Sequence, residues 1–327
     1  MMTVQNPHDK FFRESFGRPD IARNYLEEYL PDDVHNLLDL DTLLLQDSSF
    51  IDETMQEHQT DLLYQVQLKT GGLAFLYFLF EHKSYSDWLV ALQLLRYMVR
   101  FWERQVKEGT KLSLVIPLVI FHGERPWVVP TDFLALLDVP EAIRPYVPDF
   151  RYHLSDFSHF SDEKIRGEIW LRVSLSTLRA IFNPHLHQEL EALVNLMFQL
   201  SNQQTGLEYI RTVLYYLSRA TDRVKREDLE QVLLRQGAQG EQAMATIAQE
   251  YIQEGIKLGI EQGIEQGIEQ GIQEGVLDIL TLRFGIVPTT MVKQITAVTD
   301  INTLRQLHRQ ALVVDSLAAF GRLLTAQ

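Results

Sequence analysis

The segment FLFEHKSYSD, residues 78–87, sets an acid and a base two positions apart where an apolar run ends. Glu81 and Lys83 share one face of a predicted strand and His82 takes the other, because side chains alternate along a strand. If residues 60–69 and 73–83 pair as an antiparallel hairpin about residues 70–72, Asp61 faces Glu81, with Cβ atoms about 4.5–5.5 Å apart. Two carboxylates and an amine would then converge at one end of a sheet.

Two carboxylates this close repel each other unless a cation separates them. Hard oxygen ligands with room for water suit Mg²⁺, and Mn²⁺ accepts the same donors. Such a metal would activate a water and polarise a phosphodiester oxygen, while Lys83 would orient that water or stabilise charge on the phosphate. The alternative is a weak surface ion pair between Glu81 and Lys83. A hairpin slipped by one residue would also put Asp61 on the wrong face.

The helix predicted over residues 88–109 adds a polar pair, Gln93 and Tyr97, which lie four apart and share one face. The glutamine amide could hold a water or a phosphate oxygen, and the tyrosine hydroxyl could steady it. The alternative is an interface glutamine beside a core tyrosine.

A row of bases follows the same helix at spacings of 4, 4, 3 and 4, which keep them on one face. Residues 96–111 carry a net charge of +3. The row is interpreted either as phosphate contacts that position DNA without reading its sequence or as a solvated helix face. Its members are Arg96, Arg100, Arg104, Lys107 and Lys111.

The elements that must position these side chains are read from apolar runs and turn residues. Helix and strand signals follow the order α-β-β-β-α-β, which predicts an α/β fold with a mixed sheet flanked by helices. Pro117 is expected to mark a break or an edge near the start of its strand. The predicted elements are helices at 19–30 and 88–109 and strands at 40–50, 60–69, 73–83, 111–123 and 149–157.

Composition limits the classes of protein to consider. The 327 residues suggest about two domains, and the absence of cysteine excludes a disulfide framework and a thiolate nucleophile. No signal-peptide core or apolar run of membrane-spanning length is found, so a cytoplasmic protein without a membrane segment is expected. The net charge is −14, and residues 227–278 alone hold −9, which makes that segment a poor DNA binder.

The segment GIKLGIEQGIEQGIEQGIQEG, residues 255–275, repeats glycine every four residues beside a row of isoleucines. Six glycines cost a helix about 6 kcal/mol of propensity, so the helix should not persist alone. A glycine groove beside an isoleucine ridge lets two backbones approach closely, and a period of 4.0 drifts in the right-handed sense. The segment predicts a self-association helix that pairs two copies; the alternative is a partly disordered acidic linker.

Asp61, Glu81-His82-Lys83 and Gln93-x-x-x-Tyr97 together resemble the PD-(D/E)XK nuclease pattern in its variant with a Q-x-x-x-Y helix. Three longer stretches resemble the Rpn (recombination-promoting nuclease) or YhgA-like putative transposase family. They are NPHDKFFRESFGRPDIARNYLEEYLP, FEHKSYSDWLVALQLLRYM and VIPLVIFHG. The resemblance covers about residues 6–160 and extends through the helical part to 236.

The resemblance implies a Mg²⁺-dependent DNA endonuclease linked to recombination or mobile elements. It implies Asp61 and Glu81 as metal ligands and Lys83 as the catalytic lysine. Gln93 and Tyr97 would support them. One departure is Thr60, where the family pattern has proline, at a position that contributes no ligand. An acid of the first helix would complete the metal site, and Glu27 is preferred over Glu28 on family register.

The resemblance also suggests a division of the chain. It implies a nuclease-like domain over 1–160 and a helical extension over 161–238. The residue pattern then predicts the repeat helix over 239–276 and a small helical region over 277–327. The alternative function is a nuclease fold that has lost its chemistry and binds DNA or a protein partner.

Overall fold

The computed structural model describes residues 6–46, 61–81, 87–158 and 160–325. The chain forms two compact units, residues 1–247 and residues 248–327. No helix in the described ranges combines the length and the apolar character that crossing a membrane requires. The domain boundaries expected at 160, 238 and 276 stay predictions.

The first unit is a mixed α/β structure, as the sequence predicted. Helices open it, strands and one long helix follow, and four helices come after the sheet. The first part comprises α1 (Pro7–Phe16), α2 (Pro19–Tyr29), α3 (Asp32–His35), β1 (Leu38–Leu45), β2 (Leu62–Leu68), β3 (Leu73–Glu81), α4 (Val90–Lys107), β4 (Leu114–Phe121) and β5 (His153–Asp156). The later helices are α5 (Ile169–Ala180), α6 (Leu186–Phe198), α7 (Gly206–Ala220) and α8 (Arg226–Leu234).

The sheet has the order β1-β2-β3-β4-β5. The pairs β1–β2 and β2–β3 are antiparallel, whereas β3–β4 and β4–β5 are parallel. The first residues of β2 therefore lie beside the last residues of β3, β4 and β5 at one end of the strands, and we call this end of the sheet the carboxyl edge. Asp61 and Glu81 both belong to this edge, so the topology brings the two predicted acids to the same end of the sheet.

The register of the β2–β3 hairpin differs from the predicted one. Leu62 faces Phe78 and Gln67 faces Leu73, so the predicted pairing of Asp61 with Glu81 is wrong by two residues. The cause is the position of the turn, which is centred on residue 70 instead of residue 71: the Leu68 N–H donates to Gly72 O at 2.9 Å and so encloses residues 69–71. Gly71 and Gly72 supply the positive φ angles of 92° and 99° that this turn needs.

The two faces of the sheet pack against different helices. Leu62, Tyr64 and Phe78 point into the larger core, which α1, α2 and the helices after residue 160 complete. Leu63 and Tyr77 point to the other face, which α4 covers. The two-residue correction of the register keeps Asp61 on its predicted face, because side chains alternate with a period of two.

Pro117 does not interrupt strand β4, which continues from Leu114 to Phe121. β4 pairs with β3 along its whole length, but its pairing with β5 begins only at Leu118. Pro117 therefore lies in the half of the strand that has a single neighbour, where a missing N–H costs least.

The two borders formed by β1 and β5 are both irregular. The β1–β2 register shifts between Asp39 and Leu44, so the ladder of this outer strand is interrupted. At the other border, β5 has four residues.

The second unit is helical. The 47-residue helix α9 (Ala238–Phe284) contains the boundary, and α10 (Thr289–Thr296), α11 (Ile301–Val313) and α12 (Leu317–Thr325) follow it. Helix α11 ends before Val314, and Ser316 Oγ accepts from the Ala319 N–H at 3.2 Å at the start of α12. Asp300 caps α11 by accepting from the Thr303 N–H at 2.7 Å. The buried core of this unit is Val276, Leu280, Met291, Ile295, Leu307, Ala311 and Phe320.

Candidate active site

Asp61 is a buried acid at the start of β2, with 5% of its surface exposed. The Tyr77 hydroxyl, on the neighbouring strand, donates a hydrogen bond to Asp61 Oδ2. Continuing the observed register by one residue places Asp61 opposite Leu79 and diagonal to Tyr77, which explains this contact. A carboxylate held by a buried hydroxyl has a fixed orientation, so Asp61 is presented at the carboxyl edge in one geometry.

Tyr97 of α4 lies directly on Tyr77. Their ring centroids are 3.4 Å apart and the rings are within 11° of parallel. Burial, and to a lesser extent the nearby Asp61 carboxylate, raise the pKa of Tyr97 well above its usual range. The Tyr97 hydroxyl therefore stays protonated, and it has no hydrogen-bond partner within the described ranges. Tyr97 therefore places a buried, neutral hydroxyl near Asp61.

Gln93 lies one helical turn before Tyr97 and is half-buried. The structure thus links Asp61 and Tyr97 through Tyr77, and Gln93 lies on the neighbouring turn of α4. Glu81 is the last residue of β3 and pairs with Phe121 of β4 through its backbone. Lys83 and His82 lie outside the described residues.

A cavity of about 260 Å³ opens beside Asp61. Helix α1 contributes a second carboxylate to it, that of Glu14, whose side chain is 41% exposed. Arg13 and Arg18 give the same cavity positive charge, although Arg18 already donates to Asp20 at 2.9 Å. The other lining residues are Gly17, Leu45, Gln46, Leu62 and Leu63.

Glu14 and Tyr77 are functional candidates that the sequence reasoning missed. Glu14 was missed because the segment before residue 19 was not recognised as a helix. The signal was present: Asn6 accepts from the His8 N–H at 3.1 Å as an N-cap, and Pro7 follows as the first helical residue. Tyr77 could have been found from strand alternation, because positions 77 and 81 share a parity.

Glu27 occupies a different environment from the one predicted. Its Oε1 accepts from Arg23 Nε at 2.8 Å, and Arg23 also pairs with Asp41 of β1. Glu28 lies 3.8 Å from Arg166. Neither acid lines the cavity beside Asp61.

The donor set of this cavity fits a hard divalent cation. Asp61 and Glu14 supply carboxylate oxygens, which Mg²⁺ and Mn²⁺ prefer. Among side chains that the structure describes, no three histidine or acidic residues are grouped closely enough to hold a metal ion. The side chain of Glu81 is not among those described.

The row of bases follows α4 only in part. Arg96 and Lys107 are exposed, Arg100 is half-buried, and Arg104 donates to Glu108 at 2.7 Å. The placement of Lys111 on the helix is wrong: α4 ends at Lys107 and Gly109 adopts a φ of 69°, so Lys111 belongs to the segment before β4.

Comparison with known proteins finds one family and several named relatives. Residues 6–208 match the family described as "Putative transposase, YhgA-like". The recombination-promoting nuclease RpnA of Escherichia coli K12 is 29% identical over 251 residues, covering 76% of this chain and 84% of RpnA. RpnC of the same organism is 30% identical over 245 residues, covering 74% of this chain and 80% of RpnC.

A third relative from E. coli K12 is named an inactive recombination-promoting nuclease-like protein, RpnE. It is 30% identical over 165 residues, which cover 50% of this chain and 54% of RpnE. No solved structure matches the chain.

Proposed function

The chain belongs to the YhgA-like putative transposase family, and from this membership we propose that it is a metal-dependent DNA endonuclease of the PD-(D/E)XK type, acting in recombination. The observation that carries the proposal is the buried Asp61 carboxylate, fixed by Tyr77 at the edge of the sheet where β3 ends in Glu81. Asp61 also lines a cavity to which Glu14 contributes a second carboxylate.

Asp61 and Glu81 would hold Mg²⁺ or Mn²⁺, with Glu14 as the acid from the first helix in place of Glu27. Such an ion supplies Lewis-acid polarisation of the phosphodiester and lowers the pKa of water. Alternation along β3 puts position 81 on the sheet face of Tyr77, so the two ligands would approach the ion from one side. Asp61 lies diagonal to position 81 in the observed register, which is still within reach of one shared cation.

The other residues would orient the attacking water and neutralise the negative charge on the phosphate. The Gln93 amide would hold the attacking water or a phosphate oxygen, and the neutral Tyr97 hydroxyl would donate beside it. Lys83, two positions beyond Glu81, would stabilise the negative charge that develops on the phosphate. Each of these groups either donates hydrogen bonds or carries positive charge, as the reaction requires.

Double-stranded DNA is the proposed substrate, held through its phosphates. Arg96, Arg100 and Lys107 on α4, with Lys111 just beyond it, would contact phosphates without reading bases. Arg104 contributes less, because Glu108 offsets its charge.

The proposed enzyme associates with itself through residues 255–275. This segment lies within the continuous helix α9, and its isoleucines at 256, 260 and 264 are 57–58% exposed. A Cβ added at Gly259, Gly263, Gly267 or Gly271 would meet no atom within 4 Å. The open glycine face and the exposed isoleucine ridge favour a second copy of the helix as the partner.

The second candidate function is a nuclease fold without chemistry that binds DNA or a protein partner. The relative named inactive favours it, because a chain 30% identical to this one can carry that name.

One experiment separates the two functions. Supercoiled plasmid is incubated with the full chain and Mg²⁺ or Mn²⁺, beside Asp61→Ala, Lys83→Ala and the exposed control Asp41→Ala. We expect nicking by the wild type and by Asp41→Ala, with a loss of at least about 100-fold in the other two variants. Equal DNA retention with no cutting by any of the four proteins would leave the binding module as the function.

A further inference from the structure

Helix α4 carries an apolar row that the sheet does not cover. Leu92, Val99 and Val106 are 39%, 42% and 65% exposed. Leu95 and Trp102 lie between them, half-buried against the core beneath the helix. These five residues alternate at spacings of 3 and 4, which is the a/d pattern of helices that pair with another helix. We call this row the α4 seam.

The seam borders an open groove of about 480 Å³. Val99, Trp102, Val106 and Leu112 line it with apolar atoms. Leu112 is itself 60% exposed, so the apolar surface continues beyond the helix. Contiguous apolar surface of this kind on a folded protein marks an interaction site more often than chance exposure does.

We propose that the α4 seam is an interface with the α4 seam of a second copy of this chain, with the two helices antiparallel. A two-fold pair buries the same surface on both copies, so a self-complementary row is what such an interface needs. Pairing about the midpoint between residues 99 and 102 sets Val99 opposite Trp102 of the second copy and Leu95 opposite Val106. A small residue then meets a large one in each layer.

Charge along one border of the seam fits the same arrangement. Arg96 and Glu103 are both exposed, lie seven residues apart and therefore border the seam on one side. Antiparallel pairing brings Arg96 of each copy towards Glu103 of the other, which makes two ion pairs related by the two-fold axis. A parallel pair would not bring them together. The charges therefore favour a second copy of this chain as the partner and an antiparallel arrangement of the two α4 helices.

This interface does not involve residues 255–275, and it shares only Arg96 and the groove-lining Lys107 with the proposed DNA row. Arg100 and Arg104 lie further round α4, away from the seam. The inference therefore stands on the shape and charge of α4 alone and does not depend on catalysis.

Chemical cross-linking tests the pairing directly, because the natural chain has no cysteine. Val99→Cys is treated with a bis-maleimide of about 8 Å span, beside Val106→Cys and Leu137→Cys, an exposed position elsewhere in the first unit. In the antiparallel pair the two Val99 positions are offset by about 4.5 Å along the helices and the two Val106 positions by about 17 Å. We expect a covalent dimer from Val99→Cys and little from the other two.

Charge reversal supplies the second measurement. Arg96→Glu or Glu103→Arg in the Val99→Cys background should lower the yield of covalent dimer several-fold, and the two changes together should restore it. Equal yields at residues 99, 106 and 137, or no dimer from Val99→Cys, would overturn the proposal. So would a combined charge reversal that fails to restore the yield. Neither measurement requires DNA cleavage, so a negative result here is distinct from failure of the nuclease proposal.

Discussion

At the scale of single residues, the contact between Tyr77 and Asp61 decides how the acid is presented. Asp61 is buried, and a buried carboxylate costs several kcal/mol unless hydrogen bonds compensate it. Tyr77 provides that compensation and is itself held by the stacked ring of Tyr97. The tyrosine pair therefore acts as a positioning device for one metal-ligand candidate.

Tyr77→Phe tests this role. Removing the hydroxyl keeps the ring stack but releases Asp61, so we expect Mn²⁺ affinity to fall about tenfold, consistent with a hydrogen bond to a charged group of about 1.5–3 kcal/mol. Mn²⁺ titration by calorimetry gives the affinity, and nicking rates give kcat and KM. Tyr64→Phe is the matched control, because Tyr64 also donates through a buried hydroxyl, at 2.7 Å to Phe16 O, but on the other face. If both variants lose the same affinity, Tyr77 has only a structural role.

Glu14→Gln and Glu27→Gln distinguish the two candidates for the third acid. Glu14 lines the cavity of Asp61 and lies 3.9 Å from Lys10, whereas Glu27 pairs with Arg23 at 2.8 Å and does not line that cavity. We expect Glu14→Gln to raise the Mg²⁺ concentration for half-maximal nicking about tenfold or more, since neutral ligands bind Mg²⁺ more weakly than carboxylates do. Glu27→Gln should leave it within about twofold, because an exposed ion pair contributes little. A large rise with Glu27→Gln and little change with Glu14→Gln would identify Glu27 as the third metal ligand.

At the scale of elements, the sequence predicts the strands well because their apolar runs are long and bounded by turn residues. Leu73–Glu81 and Leu114–Phe121 lie within the segments expected for them. The hairpin register could not be obtained in this way. A three-residue loop could be centred on residue 70 or on residue 71, and the two choices differ by two residues in register without changing the face of any side chain. The face of Asp61 was predictable because it depends on parity alone.

The acid from the first helix shows a second limit of sequence reasoning. The family register pointed to α2, but the acid that lines the cavity is on α1. Which of two neighbouring helices approaches the edge of a sheet depends on tertiary packing, here of Phe11, Phe12 and Phe16 in the larger core. No spacing within the helices themselves contains that information.

The glycine repeat of α9 allows an element-scale prediction. Gly263→Ala with Gly267→Ala should favour the helix by about 1 kcal/mol per residue, since nothing obstructs the added methyl groups. The same methyl groups should hold a second helix away and weaken association. We expect an Ile264→Cys variant to cross-link with a bis-maleimide, and the two alanines to lower that yield several-fold.

The control for this prediction uses the neighbouring row of the repeat. Gln266→Ala with Gln270→Ala also favours the helix but changes exposed positions off the glycine face. An unchanged yield with the alanines at 263 and 267 would show that the glycine face is not the contact.

At the scale of the whole molecule, the two units have separate apolar cores. Leu280 belongs to the core of the second unit and Leu76 to the larger core of the first. Leu280→Ala should cost the second unit about 2–5 kcal/mol, the usual effect of a buried leucine truncation. Hydrogen exchange should then increase in residues 272–325 and stay constant in β2 to β4.

Leu76→Ala should give the opposite pattern: hydrogen exchange should become faster in the strands and keep its wild-type rate in the second unit. A rise in exchange throughout the chain with either variant would mean that the two units unfold as one cooperative body.

The irregular borders of the sheet have a consequence for how the chain behaves at high concentration. A strand with an interrupted ladder and a four-residue strand are poor templates for docking a foreign strand, because neither presents a long, flat ladder of backbone groups. Sheet extension, a common route to fibres, is therefore disfavoured at both outer strands. Association through helices does not depend on either strand.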